Sequence, residues 1–229
     1  MKGTALYRRT AASVSLVITA LLSVVWVALQ PPFGETALEK LAALGEARET
    51  AALSVTAFAI SQLPFIIGML GVAHLVAHRS PKLAAIGGTL AVLGGFGHAV
   101  VAGSQAPQIL MASDTANIDV YATLIEQELP VGIEVLMIIG TIGTVLGLLL
   151  LGIALFRSKV VSRWVPIALW AFILIEFIGP NFFEWASLVA GLIYLGAFVA
   201  LAVTLWRSPL NLWMSAAAER TVSNPEPAV

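Results

Sequence analysis

Residues Val131–Phe156 read VGIEVLMIIGTIGTVLGLLLLGIALF, 26 residues interrupted by one ionisable side chain, Glu134, near the start. A membrane-spanning helix needs about 20 apolar residues, within a range of roughly 17–25. This run is therefore read as a span, and it sets the class of the whole chain. Working outward, comparable runs cover 11–29, 52–77, 83–105, 164–179 and 182–206. The composition agrees: 59% of the 229 residues are hydrophobic and 11% charged, with a mean hydropathy of +0.94. Soluble domains carry about 25% charged residues. The expected fold is all-α, a single six-helix transmembrane domain over 1–214 followed by a flexible tail over 215–229.

Charge orders the connections between these spans. Lys2, Arg8 and Arg9 precede the first, and Arg79 and Lys82 join the second to the third. Arg157, Lys159 and Arg163 join the fourth to the fifth, and Arg207 and Arg220 follow the last. Ten of the 12 basic residues thus share one side, leaving Lys40 and Arg48 on the other. The positive-inside rule then places both termini in the cytoplasm. An even number of spans requires both termini on one side in any case. Eleven of the 13 acids lie towards the opposite side.

The basic start and the apolar stretch over 11–29 resemble a signal peptide, but a cleavable core is about 7–15 residues and ends at small residues. Leu29-Gln30-Pro31-Pro32 is a poor cleavage site, so a retained first helix is expected. The loop over 35–48 spaces its apolar residues helically and is expected to lie on the outer surface as a short amphipathic helix. The loop over 106–129 is expected to form a partial cap. The chain has no cysteine, which removes disulfides and thiol chemistry. No basic patch with interleaved aromatics points to nucleic acid.

The fifth and sixth spans meet in WAFILIEFIGPNFFEW, Trp170–Trp185. Here two carboxyl groups, Glu176 and Glu184, stand among six aromatic rings around the Gly179-Pro180 break. Ionisable groups at membrane depth are costly and mark functional sites by default. By helical rise, Gln62, His98, Glu134, Glu176 and Glu184 all fall within about three turns of the outer ends. They are expected at one level, either as a structural hydrogen-bond network or as a polar pocket. An apolar site favours the uncharged carboxylic acid, and an acid held in that form can donate its proton. Aromatic faces can stabilise a developing cation by about 2 kcal/mol when desolvated, although Trp and Phe at helix ends are also ordinary interfacial belt residues. The candidate catalytic acids are Glu176, Glu184 and Glu134. The candidate substrate-binding residues are Gln62, His98, Trp170, Phe172, Phe177, Asn181, Phe183 and Trp185.

His74 and His78 have a metal-ligand spacing but lie near the cytoplasmic end, about 20 Å from His98 in depth by helical rise. They read as interfacial or packing residues, and neither a metal nor another cofactor is expected. Small residues at Gly87, Ala91 and Gly94, and at Gly140, Gly143 and Gly147, form stripes for close helix approach. The same stripes leave an oligomer possible.

Leu149–Trp170, LLLGIALFRSKVVSRWVPIALW, resembles the connection between the fourth and fifth helices of uncharacterised six-helix membrane proteins of actinobacteria. It covers about a tenth of the chain. In size and intramembrane acids the chain is similar to the small integral-membrane terpene cyclases of fungal meroterpenoid and bacterial indole-terpenoid pathways. That resemblance implies an isomerase- or lyase-type reaction begun by protonating an alkene or epoxide of a prenylated, lipid-like substrate. It aligns no signature residue, and the aspartate-rich motifs of soluble cyclases are absent. Two other classes use the same acids: a non-catalytic protein binding a membrane lipid or small solute, and a proton-coupled transporter. The orientation has a direct check. A cysteine replacing Glu46 in this cysteine-free chain is expected to react with a membrane-impermeant thiol reagent added outside intact cells. Labelling from the cytoplasmic side alone reverses the orientation.

Overall fold

The computed structural model describes residues 2–32, 34–127 and 131–214. The expected flexible tail over 215–229, with Glu219, Arg220 and Glu226, lies outside the described residues, as does Glu128. Among the described residues eight α-helices form: α1 (Lys2–Leu29), α2 (Ala37–Glu46), α3 (Arg48–Ala77), α4 (Pro81–Ser113), α5 (Ile118–Ile125), α6 (Val131–Ser158), α7 (Trp164–Ile178) and α8 (Ala186–Arg207). Six of them, all but α2 and α5, are long and apolar enough to cross a bilayer. The chain is a multi-pass membrane protein.

Short connections make each long helix the antiparallel neighbour of the next. The contacts run α1–α3, α3–α4, α4–α6, α6–α7 and α7–α8, and α8 returns to α1 to close a ring. The α6–α7 contact is the least extensive of the six. Leu16, Met69, Leu148, Leu151, Phe198 and Leu201 fill the centre and are fully buried. Outward stand Leu53, Ile60, Leu63 and Leu70 of α3, Leu93 and Phe96 of α4, and Ile138 and Ile142 of α6, all exposed. An apolar exterior around an apolar core is the solution for hydrocarbon, since lipid tails are as apolar as leucine.

Several boundaries differ from the hydropathy reading. α3 begins four residues before 52 and α4 ends eight residues after 105, so both overhang the apolar layer. The overhang packs on α2 and α5, burying Leu41, Leu44, Ala51, Ile109, Ala112 and Ala122 as a separate small core. α2 is thus seated on the bundle. Its start follows from a capping box, with the Glu39 amide donating to the Thr36 hydroxyl and the Thr36 amide to the Glu39 carboxylate. Asp114 ends α4 and accepts from Asn117 Nδ2 at 2.9 Å and Tyr121 Oη at 3.0 Å. These two donors hold its carboxyl below the usual carboxylate range. α8 starts at Ala186, after a 3₁₀ turn over Gly179–Asn181 and a turn through Phe182–Trp185. Pro180 has no N–H to continue α7.

Helix ends at the basic side are closed by the basic residues themselves. Arg9 Nη1 donates to the Ser208 carbonyl at 2.9 Å, just beyond α8, and Arg79 Nη1 donates to the Ser158 carbonyl ending α6. Cations at helix C-termini satisfy orphan carbonyls and oppose the negative end of the dipole.

The tightest packing is α4 on α6. A Cβ built on Gly143 would stand 2.8 Å from the Gly94 backbone nitrogen, and one on Gly140 2.9 Å from the His98 nitrogen. These stripes are consumed within the chain, so they present no free face to a second copy. Gly143→Ala is therefore expected to destabilise the bundle by about 1–3 kcal/mol through overpacking. Gly103→Ala, with nothing within 4 Å of its Cβ position, is expected to be neutral. Thermal unfolding of the two variants in detergent checks the difference.

Candidate functional site

Hydrogen bonding inside the ring is concentrated where α1 meets α3. Thr19 Oγ1 donates to the Ser61 carbonyl at 2.9 Å, and Ser61 Oγ to the Phe58 carbonyl at 2.7 Å. Gln62 Nε2 donates to the Phe58 carbonyl at 3.1 Å and to Ser61 Oγ at 2.9 Å. Pro64 lies inside α3 just beyond this cluster and lacks the N–H that would bond one turn back. Irregular backbone pairing at membrane depth is tolerated where side chains or a cavity take it up. Both occur here.

Beside this cluster is a partly enclosed cavity of about 130 Å³. Its polar wall is Thr19 and Ser23 of α1, Gln62 of α3, His98 of α4, Thr144 of α6, Glu176 of α7 and Tyr194 of α8. Counted from the helix ends on the basic side, Thr19, Gln62, His98, Thr144, Glu176 and Tyr194 stand 12 to 17 residues in. At 1.5 Å per residue that is roughly 18–25 Å, against an apolar layer of about 30 Å. The cavity therefore sits past the middle of the bilayer, towards the acidic end. α7 is short, which brings Glu176, two residues from its end, to this level.

Aromatic rings form two files along the walls. Trp26 stacks on Phe58 at 4.2 Å between centroids, and Phe58 meets the His98 ring at 5.6 Å. Opposite in composition, Phe172 meets Tyr194 at 4.7 Å and Tyr194 meets Phe198 at 3.8 Å. His98 Nδ1 faces Thr144 Oγ1 at 3.4 Å; no hydrogen bond to Nε2 occurs among the described residues. The Ser187 hydroxyl, in the first turn of α8, stands at the Glu176 carboxyl, and the Tyr194 hydroxyl faces Thr19. Among the described residues no lysine, arginine or second acid lines the cavity. Among the described residues no group of three or more His, Cys, Asp or Glu is placed to hold a metal ion.

Of the residues singled out from sequence, the fold brings Gln62, His98, Phe172, Glu176 and Phe177 to this cavity. Glu134 and Glu184 are exposed and do not line it. Glu134 lies in the first turn of α6, off the glycine stripe that faces α4, and Glu184 in the turn before α8. Asn181, Phe183 and Trp185 are exposed in the same turn, Trp185 by 68%. Trp170 sits in the α6–α7 seam, its ring against Gly152 and Phe156. Its indole N–H is buried with no partner among the described residues. His74 pairs with the Leu212 carbonyl and meets the Trp213 ring at 4.9 Å, at the basic end.

Sequence reading missed Thr19, Ser23, Trp26, Phe58, Thr144 and Tyr194. Thr19 and Ser23 were visible as a polar pair four residues apart within an apolar helix. Tyr194 carried no comparable signal. Comparison with protein-family models, curated proteins and solved structures finds no match to this chain.

Burial of the cavity has a direct chemical check. A cysteine replacing Ser23 is expected to react with a small uncharged thiol reagent and at least tenfold more slowly with a bulky one. Equal rates place Ser23 on an open surface.

Proposed function

We propose that this protein is an integral-membrane enzyme that protonates a lipid-soluble, isoprenoid-type substrate, with Glu176 as the acid. The observation that carries this reading is one carboxyl group, alone among the described residues that line the cavity, in a wall of aromatic, aliphatic and other polar side chains. Substrate would approach through the bilayer, and the thin α6–α7 seam is the natural route. A cavity near 150 Å³ holds a benzene-sized molecule. One of about 130 Å³ accepts one ring-sized reacting group, while the remaining chain stays in the seam and the lipid.

In the reaction, the Glu176 carboxylic acid gives its proton to an alkene carbon, whose π pair forms the new C–H bond, or to an epoxide oxygen, whose C–O bond then breaks with its electron pair left on oxygen. The resulting carbocation is flanked by Trp26, Phe58 and Phe172, whose ring faces attract positive charge. Ring closure follows as the π pair of a second double bond in the same substrate forms a C–C bond to the cationic carbon, and the new cation loses a proton back to the Glu176 carboxylate, leaving a cyclic isomer without a co-reactant. His98 positions the substrate's polar end, beside the wall that Gln62 stiffens through its bonds to Phe58 and Ser61. The positive-inside rule supports the basic end in the cytoplasm of a bacterial inner membrane, with the cavity in the opposite leaflet. A prenylated molecule arriving sideways from lipid suits that position better than a water-soluble diphosphate.

Glu176→Gln is expected to lower turnover of a prenylated alkene or epoxide at least 100-fold, the scale of general-acid catalysis, while the folded protein still binds the substrate. Glu134→Gln and Glu184→Gln, outside the cavity, are expected to retain activity. Product analysis on purified protein in vesicles decides the matter. Undiminished turnover in Glu176→Gln removes the acid role. Substrate retained without product by the native chain points to a lipid-binding protein instead, and proton-coupled flux points to a transporter.

A further inference from the structure

A second concavity lies at the basic end, between α1 and α3. It is an open groove of about 650 Å³, within the roughly 300–1,000 Å³ of small-molecule sites. Its floor exists because α1 and α3 touch there through small residues: a Cβ on Gly71 would collide with the Ala12 side chain. Its walls are Ile67 and Leu70, both exposed apolar residues on the lipid side of α3. From His74 to Ile67 the groove follows seven residues of α3, about 10 Å of helix.

Its mouth is different in kind. The exposed Tyr7 and Arg8 line it there, and Tyr is a residue of the headgroup level. Arg9 bonds the Ser208 carbonyl beyond α8, which fixes the neighbouring Arg8 at the helix-end level too. The cations differ in how they are used. Arg9 and Arg79 are bound to helix-end carbonyls. Arg8 is exposed and has no hydrogen-bond or ion-pair partner among the described residues. Every described acid belongs to the other half of the chain's height, so among the described residues no carboxylate at this end competes for the Arg8 guanidinium.

A free planar fork of donors over an apolar cleft matches one kind of molecule, an anionic head on a hydrocarbon chain. We propose that this groove is a binding site for one anionic phospholipid of the leaflet at the basic end. Its phosphate sits on Arg8 and one acyl chain lies along Ile67 and Leu70. Because Trp213 and His74 form the adjoining wall, the lipid braces the 3₁₀ turn over Leu210–Trp213 against α3. The proposal is independent of the chemistry assigned to Glu176.

The test uses delipidated full-length protein in detergent, titrated with phosphatidylglycerol and with phosphatidylcholine of the same acyl chains. Binding is read by native mass spectrometry and by thermal shift. Phosphatidylglycerol is expected to bind at least tenfold more tightly and to raise the unfolding temperature. Arg8→Gln is expected to remove that preference, and Arg8→Lys to restore part of it. Lys2→Gln takes the same charge from the same end outside the groove and is expected to keep it. Leu70→Trp, which fills the cleft, is expected to weaken both lipids. The proposal is overturned by an unchanged preference in Arg8→Gln, or by an equal loss in Lys2→Gln, which means surface charge alone. It is also overturned if soluble glycerol phosphate competes at the lipid's own concentration, which means a free-phosphate site.

Discussion

Backbone contact between α4 and α6 is the constraint on which the bundle depends. In lipid there is no water to expel between helices, so association rests on dispersion contacts and hydrogen bonds. Dispersion falls off steeply with distance. Glycine at 94, 97, 140, 143 and 147 lets the two backbones meet with no side chain between them. The same approach sets His98 against Thr144 and fixes the breadth of the ring at the level of the cavity. A wider α4–α6 pair would leave the polar wall without its two middle members.

The cavity's polar groups fall into two sets with different consequences. Thr19 and Gln62, with Ser61 behind them, spend their donors on backbone carbonyls of α3 and on one another. Satisfied in this way, they stiffen the wall and offer little to a ligand. Glu176 and His98 retain hydrogen-bonding capacity directed into the space. A site built from a rigid shell and a few uncommitted groups is what orientation of a reacting molecule requires.

Much of the architecture was legible in the sequence because the bilayer leaves few choices. Runs of about 20 apolar residues between charged connections admit only helices, and the glycine stripes announced the tight pair. The overhang of α3 and α4 was not legible, because Ala106–Ser113 and Arg48–Ala51 look like loop by hydropathy. Their helicity follows from packing on α2 and α5. At the site, Glu176 and His98 stood out as ionisable groups in apolar runs. Glu134 and Glu184 stood out by the same rule yet lie outside the cavity, since sequence depth does not state which way a side chain faces. Tyr194 and Phe58 were invisible because an aromatic residue in a membrane helix is ordinary until a cavity is seen beside it.

The closure of the ring has a consequence for biosynthesis. The bond from Arg9 to Ser208 joins residues 199 apart, so α1 meets its second neighbour only when the last helix has left the ribosome. At about 5–20 residues per second that interval is on the order of 10–40 s. Through it, α1 is held by α3 alone. Thr19 already has its α3 acceptor, and Ser13 uses the Arg9 carbonyl of its own helix at 2.8 Å. The nascent first hairpin thus keeps these hydroxyls satisfied while it waits. Only a guanidinium at the water boundary stays unbonded, where waiting costs little.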